Sequence, residues 1–154
     1  MSEQYVTNSI IIEANAERIW DVLTNPSETK KYMFGCETVS DWKVGSELLW
    51  RAFYEGQDTV FVKGTVLQID APKLLEYSVI DPNSGIADLP ENYVNVTYAL
   101  EPAENKTVLT VKQGDFSKVA DGQRRYEETL NNGEGWNPLL VQIKAIAEEI
   151  DATE

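Results

Sequence analysis

The chemistry open to this chain is narrowed first by what it lacks. It contains no histidine, which removes Ser-His and Cys-His nucleophilic systems and any histidine-containing metal site. Its one cysteine, Cys36, is followed by Glu37, and a carboxylate raises rather than lowers a neighbouring thiol pKa, so Cys36 reads as structural. Asp81-x-Asn83-x-Gly85 has the outline of a calcium loop. The sharp-turn glycine of such a loop belongs at the sixth place, here Ile86, and a glutamate at the twelfth, here Asn92. Glycine-rich phosphate loops are absent. No catalytic group, metal or cofactor is therefore expected.

What remains is aromatic. Trp50, Tyr54, Tyr77, Tyr98, Phe116 and Trp136 all fall on faces that the hydrophobic pattern turns inward, as does Leu140. Each is equally at home in a packed core. Several phenols converging on one interior, however, need hydrogen-bond partners, which water or a ligand's polar group could supply. Gln113 has two readings, a buried amide beside them or an exposed end-of-strand residue. These eight side chains are the candidate lining of a ligand site.

The elements that position them follow from period and punctuation. Residues 5–13, with Ile10, Ile11 and Ile12, read as an opening strand. Asn15 caps a helix over Ala16 to Leu23, with Ile19, Trp20 and Leu23 at helical spacing. Asn25-Pro26-Ser27-Glu28 starts a second short helix, with a capping amide, proline at the first helical position and an acid in the first turn. From residue 45 the period becomes two. Leu48, Trp50, Ala52 and Tyr54 share one strand face; Gly56-Gln57-Asp58 turns the chain, and residues 59–70 form a long strand in which Gly64 marks a bulge or bend. After Ala71-Pro72-Lys73, residues 74–80 alternate through Leu75, Tyr77 and Val79. Pro82, Asn83, Gly85 and Pro90 make residues 81–92 a loop. Val94, Val96, Tyr98 and Leu100, then Leu109, Val111 and Gln113, mark two more strands.

Residues 121–149 are helical in composition. Trp136, Leu139, Leu140, Ile143, Ile146, Ala147 and Ile150 form one stripe, which predicts a helix from Glu134 to Glu149. Pro138 interrupts it: either the helix restarts with Asn137 as cap, or it kinks. A kink could hold the helix off the sheet and leave room for a pocket; a plain helix boundary is the alternative. The order of strand, two helices, a run of antiparallel strands and a long amphipathic helix predicts an α+β domain over residues 1–154.

The same residues resemble a family. Ile12-Glu13-Ala14 with Ile19-Trp20-Asp21-Val22-Leu23-Thr24-Asn25-Pro26 looks like its opening signature, and Asp41-Trp42-Lys43-Val44-Gly45 like the turn before its second strand. Gly64 to Pro72 followed by Leu74-Leu75-Glu76-Tyr77 looks like its central hairpin. Val96 to Pro102, Thr107 to Val111, and Gly135-Trp136 with Leu139-Leu140 complete a set that covers nearly the whole chain in order. The chain resembles the activator-of-heat-shock-ATPase-like (AHSA-type) branch of the START-related SRPBCC superfamily. That resemblance implies a helix-grip fold, a curved antiparallel β-sheet wrapped around a long C-terminal α-helix with two short helices after the first strand. Related proteins bind lipids, sterols, plant hormones or polyketide intermediates between sheet and helix. Two departures stand out: Gln113 replaces a histidine frequent late in the last strand, and Ser46 a second glycine.

Acidic residues outnumber basic ones by 26 to 13, a net charge of −13. Such a field repels phosphate backbones and anionic lipid, so no nucleic-acid partner and no membrane insertion are expected. No apolar run reaches spanning length. The residues Met1-Ser2-Glu3-Gln4 fit no signal peptide, and a lone cysteine suits a reducing compartment, so a cytoplasmic location is expected. Asn95-Val96-Thr97 and Asn105-Lys106-Thr107 match a glycosylation pattern but read as strand and turn.

Three functions compete. An apolar or amphipathic small molecule would sit between Trp136 and the sheet aromatics. A co-chaperone-like protein partner would dock on the acidic surface, where Glu127, Glu128, Glu148, Glu149 and Asp151 otherwise form a solvated helix face. An enzyme of the cyclase or dehydratase type would need a general acid or base, and only Tyr77 or Tyr98 could polarise a carbonyl.

Overall fold

A computed structural model describes residues 4–33, 35–82 and 85–152, and their side chains except those of Tyr54, Asn132 and residues 149–152. Of the residues named above, Met1, Ser2, Glu3 and Asn83, and the side chains of Tyr54, Glu149, Ile150 and Asp151, lie outside these.

Strand β1 (Val6–Ile12) is followed by helices α1 (Ala16–Thr24) and α2 (Pro26–Tyr32). The caps act as their residue types require. The Asn15 side chain accepts from the Arg18 amide, and that of Asn25 from the Ser27 amide. Asn25 also ends α1, its own N–H donating to the Asp21 carbonyl, so one residue closes a helix and opens the next.

The chain then builds β2 (Glu37–Ser40), β3 (Glu47–Tyr54), β4 (Gln57–Asp70), β5 (Leu74–Val79), β6 (Val94–Ala103) and β7 (Lys106–Gly114). All pairings are antiparallel, in the order β1-β7-β6-β5-β4-β3-β2. The sheet is curved, and alternate residues of β5, β6 and β7 turn inward. β2 was not foreseen: four residues, only one of them buried, carry too short a pattern to read. Gly64 lets β4 and β5 come close together, since a Cβ there would lie 1.5 Å from the Ser78 carbonyl oxygen. The pairing of these strands slips between Val66 and Gln68, next to that contact.

Helix α3 (Gly122–Leu130) precedes a linker, and α4 (Asn137–Ala152) closes the described chain. The predicted start at Glu134 is corrected: α4 begins at Asn137, with Pro138 in its first turn, where a missing N–H costs nothing. Positive φ angles at Asn131, Gly133 and Gly135 break the helix upstream. The restart does not hold α4 off the sheet. Leu140 and Ile143 have no exposed surface, so the helix packs closely from its first turn against β1, α1 and α2. This helix-grip arrangement leaves one apolar core between the inner sheet face and α4.

Candidate functional site

Pairing of Leu75 with Tyr98 and of Tyr77 with Val96 puts Tyr77 and Tyr98 diagonally adjacent on the inner sheet face. Trp50 arrives from β3, and Trp136 from the residue before α4. The four rings form a continuous seam. Centroids of Trp50 and Tyr77 are 6.4 Å apart, those of Tyr77 and Tyr98 6.0 Å, and Trp136 meets Tyr98 edge-on at 5.9 Å. Their exposures are 3%, 2%, 1% and 8% in chain order. A void wide enough for water would leave accessible surface on its walls, so the seam is filled by its own side chains.

The polar tips are less well served than the rings. The Tyr77 and Tyr98 hydroxyls share a single hydrogen bond, long at 3.4 Å. Among the described residues it is the only one either makes. One bond between two hydroxyls uses one hydrogen and leaves the other without an acceptor. Tyr32, at the end of α2, is better placed, donating to the Val22 carbonyl at 2.8 Å.

Burial pushes the Tyr98 phenol up to about 12, against a smaller opposing effect of the Tyr77 hydrogen bond. Burial first, and then the nearby Tyr98, drive Tyr77 and Tyr32 well above the ordinary phenol value. All three are neutral donors across the physiological range. Among the described residues, the charges that bear on them come from one another and from Glu28.

Gln113 proves to be the inward residue of its two readings. Its Oε1 accepts from Trp136 Nε1 at 3.0 Å. Leu140 is fully buried on α4, under the same roof. Phe116 is buried too, but its ring lies 5.8 Å from that of Tyr126 on α3, outside the seam. The Tyr54 side chain lies outside the described residues.

Two participants escaped the sequence reading. Tyr32 sits one turn after Thr29 on a helix too short for a clear stripe. Asn8 carried a better signal, a polar residue at an inward position between Val6 and Ile10. Its Oδ1 accepts from the Trp136 amide at 2.9 Å, and its Nδ2 reaches the Glu134 carbonyl at 3.4 Å.

Three concavities open elsewhere. One of about 480 Å³ lies on the outer sheet face, among Tyr5, Glu76, Thr97, Lys112 and Lys118. A second, about 680 Å³, lies at the end of the β6–β7 hairpin beside the start of α1, and a third, about 470 Å³, beside Thr65, Ser78 and Tyr93. None of the three is lined by the eight predicted residues. Among the described residues, no three acidic or cysteine side chains cluster closely enough to hold a metal ion. No helix among them is long and apolar enough to cross a membrane.

The geometry agrees with what comparison finds. The family described as "Activator of Hsp90 ATPase homolog 1-like protein" matches residues 13–148. The solution structure of ChR145 from Cytophaga hutchinsonii is 33% identical, with 99% of each chain covered and a TM-score of 0.74. Protein NE0264 from Nitrosomonas europaea is 19% identical over 99% of each chain, with a TM-score of 0.72. PFC0360w, an HSP90 activator from Plasmodium falciparum, is 16% identical over 73% of each chain, with a TM-score of 0.58. The last two likenesses show the fold alone. No curated protein matches the chain.

Proposed function

Since the chain belongs to the Activator of Hsp90 ATPase homolog 1-like family, whose START-related fold makes a binding domain, we propose that it holds a small apolar or amphipathic molecule between the sheet and α4, in space made when the side chains that fill the seam move apart. Trp50, Trp136 and Leu140 supply apolar walls, and Tyr77 and Tyr98 read one polar group of the ligand. The domain works in the cytoplasm as a single unit.

The observation that carries this reading is the pair of buried phenols sharing one 3.4 Å hydrogen bond. A buried hydroxyl hydrogen without an acceptor is costly, and a ligand oxygen inserted between the two would receive both. The group they read is neutral, a carbonyl or ether rather than a carboxylate. Among the described residues, burial and the neighbouring phenols are what shift Tyr77 and Tyr98, so a buried anion beside them would lack a countercharge from these residues.

Two measurements test it. Native mass spectrometry of freshly purified protein should show a stoichiometric neutral adduct that is lost on unfolding. Nile red, a neutral dye with one carbonyl, should bind with a blue-shifted emission. Loss of one hydrogen bond in Tyr98→Phe should weaken that binding about five-fold. A clean mass together with no dye binding overturns the proposal.

A second reading, a protein-interaction module, is favoured by the exposed Glu127 and Glu128 on α3 in a chain of net charge −13. A basic partner held there would be released by salt. Glu148 suits that role less well, because it accepts from the Glu13 amide at 2.8 Å and pairs with Lys144.

A further inference from the structure

Building on the interior-ligand reading, we propose that Trp136 is a hinged door to the aromatic seam, swinging on the linker 131–136 and latched by two amide side chains, Gln113 and Asn8.

The seam is buried, so a ligand reaches it only if some wall moves. Three walls are strands of a continuous sheet, and a fourth is α4, whose Leu140, Ile143 and Ala147 have no exposed surface. Moving any of these would expose core. Trp136 also belongs to the core, but at its edge, with 8% of its surface exposed. It stands at the end of the seam against Tyr98 and belongs to neither helix. Three hydrogen bonds hold it: Nε1 donates to Gln113 Oε1 at 3.0 Å, its backbone N–H donates to Asn8 Oδ1 at 2.9 Å, and its carbonyl accepts from the Leu140 N–H at 2.9 Å. The first two can be exchanged for bonds to water, and the third can stay in place as the pivot on α4.

The linker is built to turn. Asn131, Gly133 and Gly135 have φ of 49°, 94° and 54°, the left-handed region that glycine and asparagine tolerate. Gly135 also lets the Asn8 latch come close, since a Cβ there would lie 2.4 Å from Asn8 Oδ1. Upstream, α3 is lightly anchored. Gly122 is its one buried residue, Arg125 donates to the Asn92 carbonyl at 2.9 Å, and Arg124 pairs with Asp121 and Glu128 within the same turn and helix. Release of Trp136 would uncover Tyr98 while leaving α4 in place.

The test follows the four tryptophan indole N–H signals by amide-type hydrogen exchange in NMR, and separately the association rate of Nile red. Gln113→Met keeps chain length and removes the acceptor. The Trp136 indole should then exchange about five-fold faster, as expected for one lost hydrogen bond, with Trp20 and Trp50 unchanged and dye association accelerated to match. Gly135→Ala, which crowds the Asn8 latch, should do the same. If all indoles accelerate together, Trp136 opens only through global unfolding and the door is overturned. Selective Trp136 exchange with unchanged dye association overturns its role as the entrance. Selective exchange with no dye binding in any variant overturns the ligand reading and leaves the hinge standing.

Discussion

The helical layer has two corners, and they are held by different forces. At one, α1, α2 and α4 meet through Ile19, Val22, Leu23, Leu140, Ile143 and Ala147, none more than 2% exposed. Charge fastens the rim. Arg18 Nη2 donates to the Ile146 carbonyl at 3.0 Å, Nη1 pairs with Glu28, and Glu28 pairs with Lys31 at 2.5 Å. At the other corner, α3 and the linker rest on the sheet through partly buried Tyr126 and Leu130, and through amide bonds from Asn8 and Gln113. Apolar volume has no substitute partner in water, while an amide bond does. The first corner therefore sets stability, and the second is where the molecule can give.

Truncation should separate them most sharply. Leu140→Ala removes a fully buried side chain and should cost about 2–5 kcal/mol. Leu130→Ala, partly buried on α3, should cost about 1 kcal/mol or less. Urea midpoints at constant m measure both. Equal losses would mean that α3 is as much a part of the core as α4, and the contrast would fall.

Between the corners lie the phenols, and pH reaches them. In the fold Tyr98 titrates at about 12, against 10.0 for an unburied phenol. The folded state thus holds its proton more tightly than the unfolded one. The Tyr98 contribution is fully present below about pH 10 and is lost as pH rises through 10 to 12, by about 3 kcal/mol. Tyr77 and Tyr32, raised by burial as well, steepen the loss. Phenolate absorbance and circular dichroism should therefore change together. Ionisation of the three before unfolding would mean that water already reaches the seam.

Much of this was legible beforehand, and unevenly. The caps at Asn15 and Asn25 and the alternation through Leu75, Tyr77, Val79 and Val94 to Leu100 are local signals, set by one residue's side chain or by period two, and they placed β5, β6, α1 and α2 within a residue or two. The start of α4 was displaced because Trp136 continues the apolar stripe although its backbone is not helical; three left-handed residues outweigh periodicity there. The seam itself was readable as a set of inward aromatics. Phe116 shows the limit of that reading: inward parity says that a ring is buried, not which rings it meets. The latch was beyond reach, because Asn8 and Trp136 are 128 residues apart and only the curvature of the sheet brings them together.

The smallest contrast is also the most diagnostic. Burial works against the Glu28 carboxylate, yet hydrogen bonds from Lys31 and Arg18 outweigh it and hold its pKa below the ordinary 4.5. Its contribution is present above about pH 4.5 and lost as pH falls through the folded value. Lys31 is half exposed and screened, so Glu28→Gln should cost about 1–2 kcal/mol at neutral pH. That difference from the parent should shrink as pH falls below 4.5 through the folded value, where Glu28 itself takes up a proton, and should also shrink in molar salt. Gln113→Met carries no charge change, so its effect on Trp136 exchange should keep the same ratio at pH 4 and pH 7 and in high salt. If the Gln113 effect follows pH as the Glu28 effect does, the two corners are coupled through α4, and opening of the door would draw on the stability of the whole core.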